Sequence, residues 1–301
     1  MSDKVEVTNE KEISHEIPTG FRVIKREFQK DKVALFSFYL LTALVLIIFI
    51  AAFLTNKEEI MRVEIRDKFA RPGEGFWLGA DAGGRSILGQ LIIGARNSII
   101  IGLSVTIIAQ FIGIAIGLIS GYYAGKIDNF IMRILDFIII LPRTMVIIVF
   151  VTVIPKYTVP KFIFIMSAFT WVGTARLIRS KALSEARRDY IQASKTLGTS
   201  DFNIIVKELL PNISSLILVD LTLTFAGNIG IETGLTYLGY GLPISTPSLG
   251  TLISYASKPE IISSKLWVWL PASLLILVLM LCINYVGQAL KRASNVKQRL
   301  G

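Results

Sequence analysis

Four ionisable residues, Asp136, Arg143, Asp220 and Glu232, fall inside long apolar runs of the chain. A charge is costly to keep in hydrocarbon, so each must face a cavity or a partner, and each is a candidate functional residue. Enzymatic chemistry has less to work with. The single histidine, His15, lies in a polar N-terminal stretch, and the single cysteine, Cys282, lies in a late apolar run. One cysteine forms no disulfide within the chain, and Cys282 reads as an inert small apolar residue. No HExxH occurs, and no histidine is placed to activate a Ser or Cys nucleophile. Metal-dependent and triad hydrolysis, and with them an intramembrane enzyme, are disfavoured. The chain also lacks GxxxxGKS or GxxxxGKT, so it cannot itself cradle ATP.

The elements that carry these residues read as membrane spans. Of the 301 residues, 52% are hydrophobic and only 18% charged, with a mean hydropathy of +0.60. A soluble domain of this length would need more polar surface. The net charge of +10 comes with no RNA-binding or zinc-finger signature. It reads as Lys/Arg held beside an anionic leaflet, with no nucleic-acid partner. Residues 33–54 are uncharged and long enough to cross roughly 30 Å of hydrocarbon. They follow no small-residue cleavage site and read as an uncleaved span. Further spans are expected at 99–121, at 134–154 with a break at Pro142, at 163–175 extended by 157–162, at 213–238 and at 266–290. Gly113, Gly117, Gly121 and Gly125 recur every four residues, a spacing that lets another helix approach closely. Residues 122–133 are expected to be a short turn and 239–265 a loop.

Six spans place both termini on one side. That side, with residues 1–32, 122–133, 176–212 and 288–301, carries 20 Lys/Arg, against 11 in the three opposite loops. The bias makes it cytoplasmic. Residues 1–32 are then a cytoplasmic tail, whose 21–32 stretch is either a surface helix on the leaflet or the positive flank of the first span. Residues 33–301 form the transmembrane domain, with an extracellular loop at 55–97.

The topology leaves one charged island, 181–212, in the cytoplasm. Its apolar positions suit two short amphipathic helices joined at Gly198-Thr199-Ser200. Gly198 suits a helix end that needs positive φ, Ser200 or Asp201 suits the next N-cap, and Pro211 marks a boundary before the fifth span. From the residues alone this elbow serves equally as an interfacial linker or as a docking surface. A stand-alone channel would leave it unexplained.

The island resembles the coupling signature of ABC importer permeases: Glu-Ala-Ala, three residues, Gly, nine residues, then Ile-x-Leu-Pro. Here the spacing falls on Gln192-Ala193-Ser194, Gly198 and Glu208-Leu209-Leu210-Pro211. Gln192, Ser194 and Glu208 depart from the pattern, while Gly198, Leu210 and Pro211 keep it. The stretch LGADAGGRSILGQLIIGARNS, with Asp81, Arg85 and Arg96, resembles a segment of the oligopeptide/dipeptide/nickel permease group. Arg133, Asp136, Leu141 and Pro142 are similar to that group's MRxxDxxxxLP. Glu232, Leu235, Gly239, Pro247 and Ser248 are similar to its ExxLxFLGLG…PxPSxG.

The resemblance implies a type I ABC importer permease fold and the second permease subunit of an oligopeptide importer in the bacterial plasma membrane. It implies a heterodimer with a homologous permease, two cytoplasmic ATPases that hold ATP and Mg, and an extracellular binding protein. Dipeptides, nickel or a metallophore are the alternative cargoes. The resemblance places ATPase coupling on Gln192, Ala193, Leu197, Gly198, Thr199, Ser200, Asp201, Phe202, Glu208 and Pro211. Phe202 is expected to anchor in a pocket. Asp136 and Glu232 are expected to form packing or gating pairs. Arg143, where the group usually has a small or apolar residue, either lines the pore or serves in snorkelling or an intersubunit salt bridge.

Overall fold

A computed structural model describes residues 31–154 and 158–300, with side chains to residue 294. The 21–32 surface segment and His15 therefore lie wholly or almost wholly outside the described residues. The described chain is all-helical, without a named strand. Its main helices are α1 (Lys32–Leu54), α2 (Ile87–Tyr123), α3 (Gly125–Ile140), α4 (Arg143–Val153), α5 (Val159–Glu185) and α6 (Asp189–Thr196). After these come α7 (Asp201–Tyr237), then α8 (Leu249–Ser254), α9 (Pro259–Ser264) and α10 (Leu266–Leu300). Five of them are long and apolar enough to cross a membrane, and α3 and α4 add a sixth if they form one broken span bent by 77°. The break falls at Leu141-Pro142, where proline disfavours helical backbone in the residue before it.

Several boundaries differ from those expected. Residues 87–97 are not loop but the first turns of α2. The 122–133 turn shrinks to Ala124 and its neighbours, with α3 starting at Gly125. The 239–265 loop contains α8 and α9. Pro211 does not end a helix, because α7 runs through it. A π-helical stretch at Ile205–Leu209 precedes it, with Leu210 N–H bonded to Ile205 O. The wider turn accommodates a residue that has no N–H of its own to donate.

The bundle is organised on the contact of α2 with α5. Gly113, Gly117 and Gly121 provide it: a Cβ there would lie 2.7, 2.7 and 2.6 Å from Thr174, Ala175 and Ala182 respectively. Only glycine lets the two backbones come this close. Gly125, the fourth glycine of the series, is not part of this contact; it has φ +56 and open space around it. Helix α1 packs on α2 and α10, and α10 packs on α7. On α1 only Ala34, Ser37, Ile48 and Ala52 are buried, and exposed Phe36, Tyr39, Ile47 and Phe53 form an apolar outer surface suited to lipid.

Cross-links tie each end of the bundle together. At one end Asp31 caps α1 through the Val33 and Ala34 amides and forms an ion pair with Arg292 near the end of α10. Ser294 Oγ donates to Ser215 Oγ at 3.0 Å, placing the start of α7 at the same end. At the other end Asp81 is fully buried. It accepts from the Gly83 and Arg85 amides at 2.7 and 3.0 Å, from Arg85 Nε at 2.9 Å, from Gln90 Nε2 at 3.0 Å and from Tyr255 Oη at 2.9 Å. Burial, and then the Asp81 carboxylate, push the Tyr255 phenol up. The long first loop is thereby fastened to the segment that follows α8.

Candidate functional site

The elbow grows out of the bundle's packing. Helix α5 ends at Glu185, and a turn at Ala186–Arg188 separates it from α6. The first amphipathic helix is therefore two pieces, with 182–185 belonging to a spanning helix. Buried Ile191 of α6 and Ile204, Leu209 and Ile213 of α7 form one core with Leu118 and Tyr122 of α2 and Ile178 and Ala182 of α5. The elbow is thus seated on the ends of the two helices that pack most closely.

Its turn closes as a Schellman motif. Gly198 has φ +81, its N–H donates to Lys195 O at 3.0 Å, and Thr199 N–H donates to Ser194 O at 3.0 Å. Ser200 occupies the N-cap of α7 without a side-chain bond. Asp201, expected as a cap, instead accepts from Tyr122 Oη at 2.6 Å, while Lys195 Nζ sits 4.5 Å from the Tyr122 ring centroid. Tyr122 thereby holds both arms of the elbow.

The departures from the family spacing have partners. Ser194 Oγ donates to Glu208 Oε1 at 2.7 Å, joining the two departing positions to each other. Gln192 Nε2 donates to Ala186 O at 3.0 Å, at the C-terminus of α5. Glu185 is buried and neutralised by Lys181 and Arg188, each at 3.0 Å. Tyr190 donates to Glu185 at 3.3 Å and accepts from Asn212 at 3.2 Å. Burial, and then the Glu185 carboxylate, raise the Tyr190 phenol above its usual range. Against this fixed frame Leu197 is 86% exposed and Phe202 74% exposed. Gln192, Ala193, Gly198, Ser200, Asp201 and Pro211 are exposed too, and Thr199 and Glu208 are half-buried. Two large apolar side chains stand in the open on either side of a rigid turn, as a knob that fits a pocket would.

The charges inside the spans do not form one cluster. Asp136 makes an ion pair with Arg176 of α5, although both are substantially exposed. Glu232 is fully buried with no cation beside it among the described residues. It accepts from Ser98 Oγ at 2.9 Å, Thr236 at 3.1 Å and Thr233 at 3.4 Å. Ser98 Oγ in turn accepts from the Leu249 amide at 3.1 Å, so Glu232 joins α2, α7 and α8. It is a packing hub of hydroxyl groups and not half of an ion pair. Arg143 is exposed at the first position of α4 and has no hydrogen bond or ion pair among the described residues. It lines a cavity of about 210 Å³ together with Asp220, Thr170, Thr174 and Asn228.

Asp220 was a candidate by its place in a span but was given no role. Its Oδ2 accepts from Gln110 Nε2 at 2.6 Å and from Thr174 at 2.7 Å. The signal was in the chain as polar residues four apart in apolar helices: Thr106 and Gln110, Thr170 and Thr174, Asp220 and Thr224. That spacing puts each pair on one helix face.

The family model described as binding-protein-dependent transport system inner membrane component matches residues 113–296. The chain is 47% identical over 276 residues to the oligopeptide transport system permease protein OppC of Lactococcus lactis subsp. cremoris, covering 91% of this chain and 94% of that one. It is 32% identical to the oligopeptide transport system permease protein AmiD of Streptococcus pneumoniae, covering 91% and 88%. It is 31% identical to the dipeptide transport system permease protein DppC of Bacillus subtilis, covering 91% and 85%.

Proposed function

The chain belongs to the family of binding-protein-dependent transport system inner membrane components, and from that premise we propose that it is a permease subunit of an ATP-driven oligopeptide importer. It forms half of the translocation pore with a second, homologous permease. Two cytoplasmic ATPases hold ATP and Mg, and a binding protein delivers peptide from outside. Both termini and the elbow lie in the cytoplasm, and the 55–97 loop lies outside. Oligopeptide cargo is favoured over dipeptide by the higher identity to the Lactococcus oligopeptide permease.

The observation that carries the coupling role is the pair of exposed side chains, Leu197 and Phe202, on an elbow whose base is buried. ATP-driven closure of the ATPases must move the spans, and a stiff element seated in each ATPase transmits such motion where a loose linker would absorb it. Phe202 supplies the anchor. Gly198 provides the turn, and Gln192, Ser194 and Glu208 brace it from within.

The test is co-purification and uptake. Phe202→Asp changes an exposed side chain and should leave insertion intact, while the ATPases no longer co-purify and ATP-coupled peptide uptake falls about tenfold or more. Gly198→Pro, which cannot adopt φ +81, should do the same by breaking the turn. Normal uptake by both variants would remove the coupling role.

A further inference from the structure

We propose that Arg143 and Asp220 are the two charged ends of a cargo station inside the membrane, one that holds a zwitterionic peptide by its free carboxylate and its ammonium group. The station rests on the importer reading above and gives that pore a recognition chemistry of its own.

Arg143 opens α4 immediately after the 77° break from α3. No side chain caps that helix start. The unbonded amides of the first turn and the guanidinium therefore present positive charge at one place, the arrangement by which a broken helix receives an anionic group at membrane depth. The cavity of about 210 Å³ that Arg143 shares with Asp220 adjoins one of about 340 Å³, and both are lined by Arg143, Thr170 and Gly173. The larger one is walled by apolar residues, among them Ile138, Val146, Phe169 and Val172. By volume it reaches the lower end of the roughly 300–1,000 Å³ typical of small-ligand sites.

Asp220 faces the same space without a cation among the described residues. Only its Oδ2 is held, by Gln110 and Thr174. A cation and an anion on one cavity wall, neither neutralised by this chain, call for a partner carrying both signs. Two glycines add an independent observation. Gly173 and Gly227 line the smaller cavity, and a Cβ on either would meet nothing within 4 Å. Glycine is disfavoured in a helix interior. Unlike Gly113, Gly117 and Gly121, these two serve no close helix contact within the chain. They keep the space open. Charged ends, a polar middle and an apolar recess fit a short zwitterionic peptide and one of its side chains.

The experiment uses the complete complex in proteoliposomes, with both permeases, both ATPases and the binding protein. It compares uptake of trialanine as the free acid, the C-terminal amide and the N-acetyl form, because the ends of so short a peptide lie only roughly 10 Å apart when extended. The binding protein's own preference is the same in every assay and cancels from the change between variants. Arg143→Gln is expected to lower the acid-to-amide uptake ratio about tenfold, with Arg143→Lys largely restoring it. Asp220→Asn should lower the ratio of free to acetylated amine by a similar factor. Gly227→Leu, whose Cβ meets nothing within 4 Å in this chain, should reduce uptake of all three by filling the space. Equal loss for all peptides in Arg143→Gln and Asp220→Asn, as a broken intersubunit salt bridge would give, overturns the station, and so do unchanged ratios. Absence of ATP-dependent peptide uptake by the wild-type complex would instead overturn the importer reading.

Discussion

Ser194 and Glu208 look in the sequence like two separate lapses from the family spacing. In three dimensions they are one hydrogen bond across the elbow. A hydroxyl has replaced a methyl and a carboxylate has replaced an alkyl chain at positions that meet. Removing one partner should therefore cost more than removing both. Ser194→Ala leaves a half-buried carboxylate oxygen short of a donor, at an expected cost of about 1–3 kcal/mol. Adding Glu208→Ile removes the unmet acceptor and should recover most of it. A double-mutant cycle on the thermal unfolding of the solubilised complex is expected to give a coupling of about 0.5–3 kcal/mol; strictly additive losses would show that the two side chains do not support each other. Glu232 obeys the same logic in a drier place. Glu232→Gln keeps an acceptor for Ser98 and Thr236, whereas Glu232→Leu strands both hydroxyls. The leucine variant is expected to unfold well before the glutamine variant in the same assay.

Among the elements, the α2–α5 contact decides where everything else sits. At Gly117 a Cβ would lie 2.7 Å from Ala175 O, which is backbone and cannot rotate away. Gly117→Val is therefore expected to push the helices apart and lower the yield of assembled complex severalfold in membrane preparations, whereas Gly125→Ala, outside the contact, should alter only its own turn. This contact was legible in the sequence because a four-residue repeat of glycine has one physical meaning on a helix. The elbow was legible for a related reason, since Gly198 and an amphipathic pattern demand a turn. Helix boundaries were less so. Hydropathy marks where lipid begins and not where hydrogen bonding ends, so the first turns of α2 were read as loop and the start of α7 as a separate short helix. Pro211 misled because a proline signals a helix end unless a wider turn precedes it, and the π stretch at Ile205–Leu209 depends on tertiary packing. The common wall of Arg143 and Asp220 was not legible because they lie on α4 and α7, and only the folded bundle brings them to one cavity.

On the scale of the whole molecule, the cross-links divide the bundle into two ends. Asp31 with Arg292, and Ser215 with Ser294, gather the start of α1, the end of α10 and the root of the elbow at one end. Asp81 with Tyr255, and Asn97 with Pro247 O at 2.8 Å, gather the first loop and the α8 region at the other. An even number of crossings follows, so the bent pair α3 and α4 counts as one traverse although neither half is long enough alone. The geometry relates the ends to each other, and the charge bias orients them. The elbow end carries the excess of Lys/Arg and is expected inside the cell. Single cysteines in a Cys282→Ser background make this testable. Trp77 is 88% exposed on the first loop, and Lys207 is exposed near the elbow. Trp77→Cys should react with an impermeant maleimide in intact cells, and Lys207→Cys only after the membrane is opened. Labelling of both from one side would break the two-ended arrangement. The reverse pattern would invert the molecule and put the elbow beyond the reach of any cytoplasmic ATPase.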